Sequence, residues 1–584
     1  MHFKWKYEPP TSEEKQAAEE LGSAIGKSPI IADLLIKRGI TTPDDASRFF
    51  HPQLTDLHDP FLMKDMDAAI DRLNAALGKK ERILIYGDYD VDGCTAVALV
   101  YKFLIQYYSN VDYYIPDRYE EGYGVSDKAL DYAIETNVKL IIILDCGIKA
   151  IGQVALASEF GIDFIICDHH VADAELPQAI AVLNPKRKDN TYPFAHLCGC
   201  GVGFKLMQAF AISNGIPFCK LIPLLSFCAL SIVTDIVPIM GENRILAYHG
   251  LRQLNRAPLT GLKAIIEVCG LQEKEITIND ITFRIGPRIN ASGRVQNGRK
   301  TVDLLIERDF NKALKMAENV NEYNEQRRDL DKQMTEEANE IVAKLSEKYH
   351  DNLNSLVLYD ENWKKGVVGI VASRLSENFV RPTIIFANDG DSITGSARSV
   401  AGFDIYKAIE SCKDLMENFG GHKYAAGLSM KLDKLAEFRK RFCTYVDEHI
   451  LPEQKEAVLN IDCVLNFREI SHRLRNDLKR FEPFGPDNEK PYFCTQNVYD
   501  YGTSKVVGRE QEHIKLELID SNSNAVLSGI AFGQSEHAHF IKSKSSFDIV
   551  YTIEENSHKR GETQLLIEDI RTSERKESDN TDNK

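Results

Sequence analysis

Three aspartates at alternate positions close an apolar run: ILIYGDYDVDG carries Asp88, Asp90 and Asp92. Carboxylates this close repel one another, and gathering them at a strand end is unfavourable unless a divalent cation neutralises them; oxygen donors suit Mg²⁺ and Mn²⁺. Taken alone, the segment reads equally as a solvated acidic turn with an Asp capping the helix expected at VALVYKFL. Two further apolar runs end in the same way, LIIILD on Asp145 and FIICDHH on Asp168, His169 and His170. A lone His-His reads as a surface or helix-cap pair. Beside carboxylates, the imidazoles add nitrogen donors, which favours Mn²⁺ over pure Mg²⁺ chemistry, and a neutral imidazole is a candidate acid. Asp235 stands in the otherwise apolar LLSFCALSIVTDIVPIM. Burying an unpaired carboxylate costs on the order of several kcal/mol, so this one is expected to be hydrogen-bonded, paired or metal-bound, a helix cap before Pro238 being the competing reading.

The elements that must position these residues are short apolar runs alternating with amphipathic stretches from residue 82 onward: RILIYGD, VDYYIPD, KLIIILD, DFIICD and AIAVLN. The alternation predicts a doubly wound, mostly parallel α/β sheet, and in such sheets ligands collect beyond the carboxyl ends of the strands. Three strands therefore bring DxDxD, D and DHH to one crest. Apolar side chains at 310, 314, 317, 320, 323, 330, 334, 338, 341 and 345 predict one long connecting helix, or two in succession, over 303–349. A second α/β lobe follows at 350–452, with strands at SLVLYD and PTIIFAN. Short strand-like stretches over 453–573 predict a small OB-like β-barrel, an architecture suited to single-stranded nucleic acid. Residues 1–65 read as an N-terminal segment capping the domain at 66–302, and the polar 574–584 as a disordered tail.

With 43% apolar and 27% charged residues over 584 positions, several soluble domains are expected, and the apolar runs are strand-sized rather than membrane-sized. The N-terminus has no apolar signal core, so a cytoplasmic location without membrane attachment is expected. Twelve scattered cysteines, the closest being Cys198 and Cys200, read as free thiols. A net charge of −16 argues against a broad DNA-attracting surface, so nucleic acid would have to bind inside a local basic groove. FRIGPRINASGRV gathers Arg284, Arg288, Asn290 and Arg294 around glycines, as a phosphate-approaching loop or as an arginine-rich loop paired to nearby acids.

GDYDVDG, LDCG, CDHH and SIVTDIVP occur in the order and spacing of the four motifs of the DHH phosphoesterase family, which the chain resembles over all but its polar tail. The resemblance implies two Mn²⁺ or Mg²⁺ ions held by Asp90, Asp92, Asp145, His169 and Asp235, with Asp145 bridging and Asp88 at the margin of the set. It implies catalytic roles for Asp145, His169 and His170, the last on the scissile phosphate or as general acid. Such a cation pair activates water and neutralises developing phosphoryl charge, so phosphodiester hydrolysis follows. TGSARSVAGFDI and FGGHKYAAGLSM resemble the family's DHHA1 substrate-binding domain and would place Ser396, Arg398, His422 and Lys423 at the substrate, with glycines forming a tight turn and Arg398 forking onto a terminal phosphate. Exonucleases of the family carry an RxNAxGR element like the one at Arg288, and a segment like IPDRYEEGYG, where Arg118 would clasp the 5′ phosphate. Tyr119 and Tyr123 there are packing anchors or base-stacking platforms. FEPFGPDNEKPYF resembles PFGxGNxxPxF, with Asp487 in place of the second glycine.

The implied activity is a single-stranded-DNA-specific 5′→3′ exonuclease releasing 5′-mononucleotides in DNA recombination and repair, acting as a monomer, with a single-strand-binding protein and a helicase as expected partners. A short DHH phosphodiesterase on nano-RNA or cyclic dinucleotides, a pure single-strand-binding module and an inactive relative are the competing readings. The added connector and barrel disfavour the first, and the intact ligand set the last.

Overall fold

The computed structural model describes residues 3–118, 120–295, 298–349, 353–543, 545–556, 559 and 561–573; of 292–295 and 349 it describes the backbone alone. Tyr119, the Arg294 side chain and the tail 574–584 thus lie outside the described residues. The chain divides into two compact units, one of residues 53–455 and one formed by 1–52 together with 456–584.

In the larger unit, five parallel strands lie in the order Val111–Tyr114, Arg82–Gly87, Val138–Leu144, Asp163–Cys167, Ala181–Leu183. Both faces of the sheet are covered, which is why its strands read as continuous apolar runs. Ile83, Ile85, Leu140 and Ile142 pack with the helices Val91–Leu104 and Gly199–Ser213 on one side. Leu84, Tyr86, Ile141 and Ile143 pack with Asp127–Glu135 and Ile151–Glu159 on the other. The strand order reverses between Arg82–Gly87 and Val138–Leu144, the crevice where doubly wound sheets bind ligands.

The connecting stretch is a helix at Arg299–Ile306 and a 40-residue helix at Phe310–Tyr349. Between them Glu307 accepts the backbone N–H of Arg308 and Asp309, and Asp309 accepts from Lys312 N, so the second helix is capped afresh. Beyond it lies a second five-stranded sheet, ordered Asn418–His422, Ala425–Met430, Ser392–Arg398, Thr383–Asp389, Leu356–Tyr359, antiparallel except for its last pair.

In the smaller unit, Phe493–Asp500, His513–Asp520, Val526–Ala531, Phe547–Glu555 and Thr563–Thr572 close into a five-stranded barrel, with one parallel pair between Val526–Ala531 and Thr563–Thr572. The N-terminal segment belongs here and not with the domain that follows it. Phe3–Tyr7 pairs in parallel with Ala457–Ile461, and Leu459, Ile461, Cys494 and Val550 form a small core with Phe3, Trp5 and Tyr7. The compact units divide at 52, within the segment read from sequence as 1–65. Asp487 adopts φ +62°, the left-handed conformation that the glycine of the related pattern takes freely, so the substitution leaves the turn intact. Its neighbour Asn488 is buried, donating to Phe481 O and Pro483 O and accepting from Arg38 Nε, which pins the N-terminal helices to this turn.

All twelve cysteines are free. Among the described residues, no helix is long and apolar enough to cross a membrane.

Candidate active site

Three of the five parallel strands deliver acids at the point where they end. After Arg82–Gly87, Asp90 caps the helix Val91–Leu104 by accepting from Gly93 N at 3.0 Å. The capping reading and the cluster reading are therefore both true of this residue. Asp92 lies in the first turn, where both carboxylate oxygens are clamped: Gly199 N donates to Oδ2 at 2.7 Å, while Cys200 N (2.7 Å) and Ser231 Oγ (2.6 Å) donate to Oδ1. The first two donors are the opening N–H groups of the helix Gly199–Ser213, whose positive end favours the charge. Asp145 follows Val138–Leu144 with φ +63°, its N–H donating to Cys167 O. Asp235 ends the helix Leu225–Thr234.

His169 sits at the centre. Its Nε2 lies 3.2 Å from Asp145 Oδ1, 3.5 Å from Asp235 Oδ2 and 3.8 Å from Asp92 Oδ2. Donor atoms of Asp88, Asp90 and Asp145 converge, as do those of Asp92, His169 and Asp235, and those of Asp145, His169 and His170, each trio within 4.8 Å. Among the described residues, Asp88 Oδ1, Asp145 Oδ1 and both ring nitrogens of His169 are buried without a hydrogen-bond partner. Buried polar atoms are ordinarily satisfied, so these are the atoms that could ligate a cation, and the carboxylate–imidazole mixture fits Mn²⁺ or Mg²⁺. The protonation equilibria agree. Burial, then mutual repulsion, pushes Asp88, Asp90 and Asp145 above the usual carboxylate range and Asp235 up to about 9, while burial takes His169 down to about 4. A cation would reverse the carboxylate shifts and hold His169 neutral.

Asp168 is an orienting residue. Its Oδ1 accepts from His169 N (2.7 Å), His170 N (3.1 Å) and His170 Nδ1 (2.8 Å), and its Oδ2 from Ile148 N (2.9 Å). Burial opposes the charge on both partners, yet this bonding outweighs it, holding Asp168 below and His170 above their ordinary values. Sequence reasoning passed over several supports. Asn184 Nδ2 donates to His170 O and closes the next strand of the same crest, a position the strand-end rule could have flagged. Ser231 stands one helical turn before Asp235. Lys186 places a positive charge near Asp235, His169 and His170, and no periodicity marks it.

Away from the cluster, the second lobe carries Arg398 between two serine hydroxyls. Arg398 is half-buried; it donates to Ser373 Oγ (3.1 Å), Ser396 Oγ (2.9 Å) and Ala397 O (2.8 Å). Burial and then the charge of Arg118 push its pKa down, and among the described residues no carboxylate is bonded to Arg398. Arg118 also lies 5.0 Å from the Tyr89 ring, and its charge lowers the pKa of Asp88.

The glycines of FGGHKYAAG do not form the expected turn. The turn is Lys423–Tyr424, and Gly420 and Gly421 lie in the edge strand Asn418–His422. Gly421, at φ +148°, passes so close to Ala426 that a Cβ would stand 2.5 Å from its Cα. Register places Ser396, Gly427 and Gly420 in one row and Arg398, Ala425 and His422 in another, on the same face. Small residues thus keep the sheet open beside Arg398. His422 is exposed there, its Nδ1 accepting from Tyr424 N, and Lys423 lies 5.4 Å from the Tyr424 ring.

The RxNAxGR element is the helix Gly286–Val295 and not a loop, so its backbone N–H groups are engaged in the helix and only side chains can meet a phosphate. Arg288 donates to Asn321 Oδ1 of the long helix and to Arg284 O; Asn290 is half-buried.

Family models match three stretches: "DHH family, N-terminal domain" at 82–230, "DHHA1 domain" at 352–448 and "RecJ OB domain" at 461–569. The chain is 34% identical to the single-stranded-DNA-specific exonuclease RecJ of Bacillus subtilis, across 98% of this chain and 71% of that protein. To the Haemophilus influenzae RecJ it is 31% identical, across 94% and 97%. The crystal structure of RecJ in complex with Mn²⁺ from Thermus thermophilus superposes with a TM-score of 0.82 at 25% identity, covering 98% of this chain and 80% of that one.

Proposed function

The chain belongs to the RecJ family of DHH phosphoesterases, and on that premise we propose that it is a metal-dependent exonuclease degrading single-stranded DNA from 5′ to 3′. The observation that carries the reading is the pairing of two sites: the convergent donors around His169, and the Arg398–Arg118 anion site whose charge reaches Asp88. The donor trios support two cations held by Asp88, Asp90, Asp92, Asp145, His169 and Asp235, with Asp145 shared. Bound there, the cations would activate water for in-line attack and neutralise phosphoryl charge.

The chain's own residues do the rest. Asp168 fixes His170 through Nδ1 and favours its protonated form, supporting a role for the imidazolium on the scissile phosphate or the departing oxygen. Arg398, Ser396 and Arg118 suit a terminal 5′ phosphate, whose extra charge over an internal diester two guanidiniums and a hydroxyl can read. His422 and Lys423 at the hairpin tip, and Arg288, Asn290 and Arg294 on their helix, would contact the strand behind it. The closed barrel is an architecture that grips single strands by stacking and charge.

Release of 5′-mononucleotides, a place in DNA recombination and repair, work beside a single-strand-binding protein and a helicase, a monomeric state and a cytoplasmic location complete the proposal. The same holds for a catalytic domain ending near 302, a connector to 349 and a DHHA1 lobe to 452. The test is incubation of 5′-labelled single-stranded DNA with Mn²⁺, with and without chelator. Labelled mononucleotide is expected as the first product, and only without chelator. Binding without turnover would reduce the protein to a binding module, and label retained on progressively shorter strands would reverse the polarity.

A further inference from the structure

Ile236 follows Asp235 directly and has two features that packing does not explain. It lies just past the helix Leu225–Thr234 with φ +58°, a position that glycine or asparagine fills at little cost and where a β-branched side chain is crowded. Ending the helix explains the conformation but not the choice of residue. The side chain is also 72% exposed, so the crowding gains no burial. Among the described residues, the other β-branched one with positive φ is Val380, and it is half-buried.

Two further exposed apolar side chains belong to this neighbourhood, one by sequence and one by contact. Val171, 71% exposed, follows His170. Tyr123, 60% exposed, reaches to 3.5 Å from both Asp145 O and His170 Nδ1, its ring edge-on to the imidazole. Single exposed hydrophobics need no explanation. Here two follow donor residues directly in sequence, Ile236 after Asp235 and Val171 after His170, and the third, Tyr123, touches the donors themselves.

We infer that Ile236 is a substrate-contacting, specificity-determining residue: with Tyr123 and Val171 it forms an apolar collar at the metal cluster that packs against the nucleoside flanking the scissile phosphate. The inference rests on the exonuclease reading. A phosphate drawn to the cations brings its sugar and base with it, and an uncharged collar receives any base because every base has an apolar face. A base still paired and stacked in a duplex cannot offer that face, so the collar would also select for unpaired ends.

The test compares wild type with Ile236→Gly and Ile236→Asn, both compatible with the left-handed backbone. Substrates are 5′-phosphorylated single strands, natural or with abasic tetrahydrofuran residues at the first two positions. Wild type is expected to prefer the natural strand by about tenfold in kcat/KM, and the variants to lose most of that preference through KM. Without turnover, a 5′-terminal 2-aminopurine should brighten on binding to wild type with Ca²⁺ in place of Mn²⁺, and brighten less with the variants. Both variants should melt no lower than wild type and keep its Mn²⁺-induced rise in melting temperature. Preference retained by the variants overturns the inference, and loss of the Mn²⁺ response reassigns Ile236 to positioning Asp235. A wild type that leaves natural single strands intact instead overturns the exonuclease reading, and the collar with it.

Discussion

A Cβ placed on Gly199 would stand 2.6 Å from Asp145 Cβ and 2.7 Å from its Oδ1. Gly199 also donates its N–H to Asp92, so one residue without a side chain lets two carboxylates converge. Gly199→Ala should push Asp145 aside at a stability cost of about 1–3 kcal/mol, typical of overpacking. Hydrolysis is expected to fall at least about tenfold, with the Mn²⁺ concentration for half-maximal rate shifted upward. An Mn²⁺ titration of activity checks this; an unchanged midpoint contradicts it.

Asp145→Ala removes the proposed shared ligand and should abolish hydrolysis while leaving the fold intact. Its carboxyl is disfavoured by burial and by Asp92, Asp90, Asp235 and Asp88, so without metal the variant should melt at or above the wild-type temperature. Mn²⁺ at a hundred times its dissociation constant adds about 2.7 kcal/mol to a protein that binds it only when folded. That increment, read by melting with and without chelator, should be present in wild type and largely lost in the variant. Near-normal turnover of the variant in Mn²⁺ would sink the two-metal assignment.

Asp168→Asn keeps the shape of the side chain but turns an acceptor of four hydrogen bonds into a group with one acceptor oxygen. At least one buried N–H loses its partner, at about 1–3 kcal/mol. Denaturant unfolding should register that loss, and activity should drop while the Mn²⁺-induced stabilisation persists, because Asp168 orients His170 and is not itself in the converging trios.

The crest of the sheet was legible because strand ends are: apolar runs stop, and acids follow at 88, 145 and 168. Asp235 was legible as an acid in apolar surroundings. What patterning could not supply was contact between distant segments. Ser231 and the helix opening at Gly199 clamp Asp92 across more than a hundred residues, and nothing local marks them. The arginine element was misread as a loop because its glycines outweighed a helical spacing, and FGGHKYAAG as a turn because small residues that clear a surface look like small residues that bend a chain. Phe3–Tyr7 is strand-like by itself, but its partner at Ala457–Ile461 is invisible from either sequence.

Arg398→Ala should slow release of mononucleotides from 5′-phosphorylated strands far more than it weakens binding of the strand interior. The guanidinium is held by Ser373 and Ser396 and shares the proposed terminal-phosphate pocket with Arg118, so its loss would remove half of that pocket's positive charge. Rates on 5′-phosphate and 5′-hydroxyl strands, for both proteins, make the comparison. Equal slowing on the two substrates would show the pocket to be misplaced.

Blunt duplex DNA should be a poor substrate and a 5′ overhang a good one. A chain at −16 overall has no broad field to draw in a duplex and must rely on a few enclosed arginines and on stacking. Comparable initial rates on blunt duplex and single strand would count decisively against it.

The parallel pairing of Phe3–Tyr7 with Ala457–Ile461 makes the smaller unit discontinuous, with the whole of 53–455 inserted between its two pieces. On a ribosome adding about 5–20 residues per second, the first strand would wait on the order of half a minute or more before its partner exists. During that interval Phe3, Trp5 and Tyr7 have no core to join, and by its end the catalytic unit has all its own residues in hand. The order of synthesis therefore lets the metal-binding crest assemble before the barrel unit, whose early strand is recovered by one made after the whole larger unit. Entropy does not forbid this closure, because the cost of joining chain ends rises only logarithmically with the length between them, and a folded insert shortens that length.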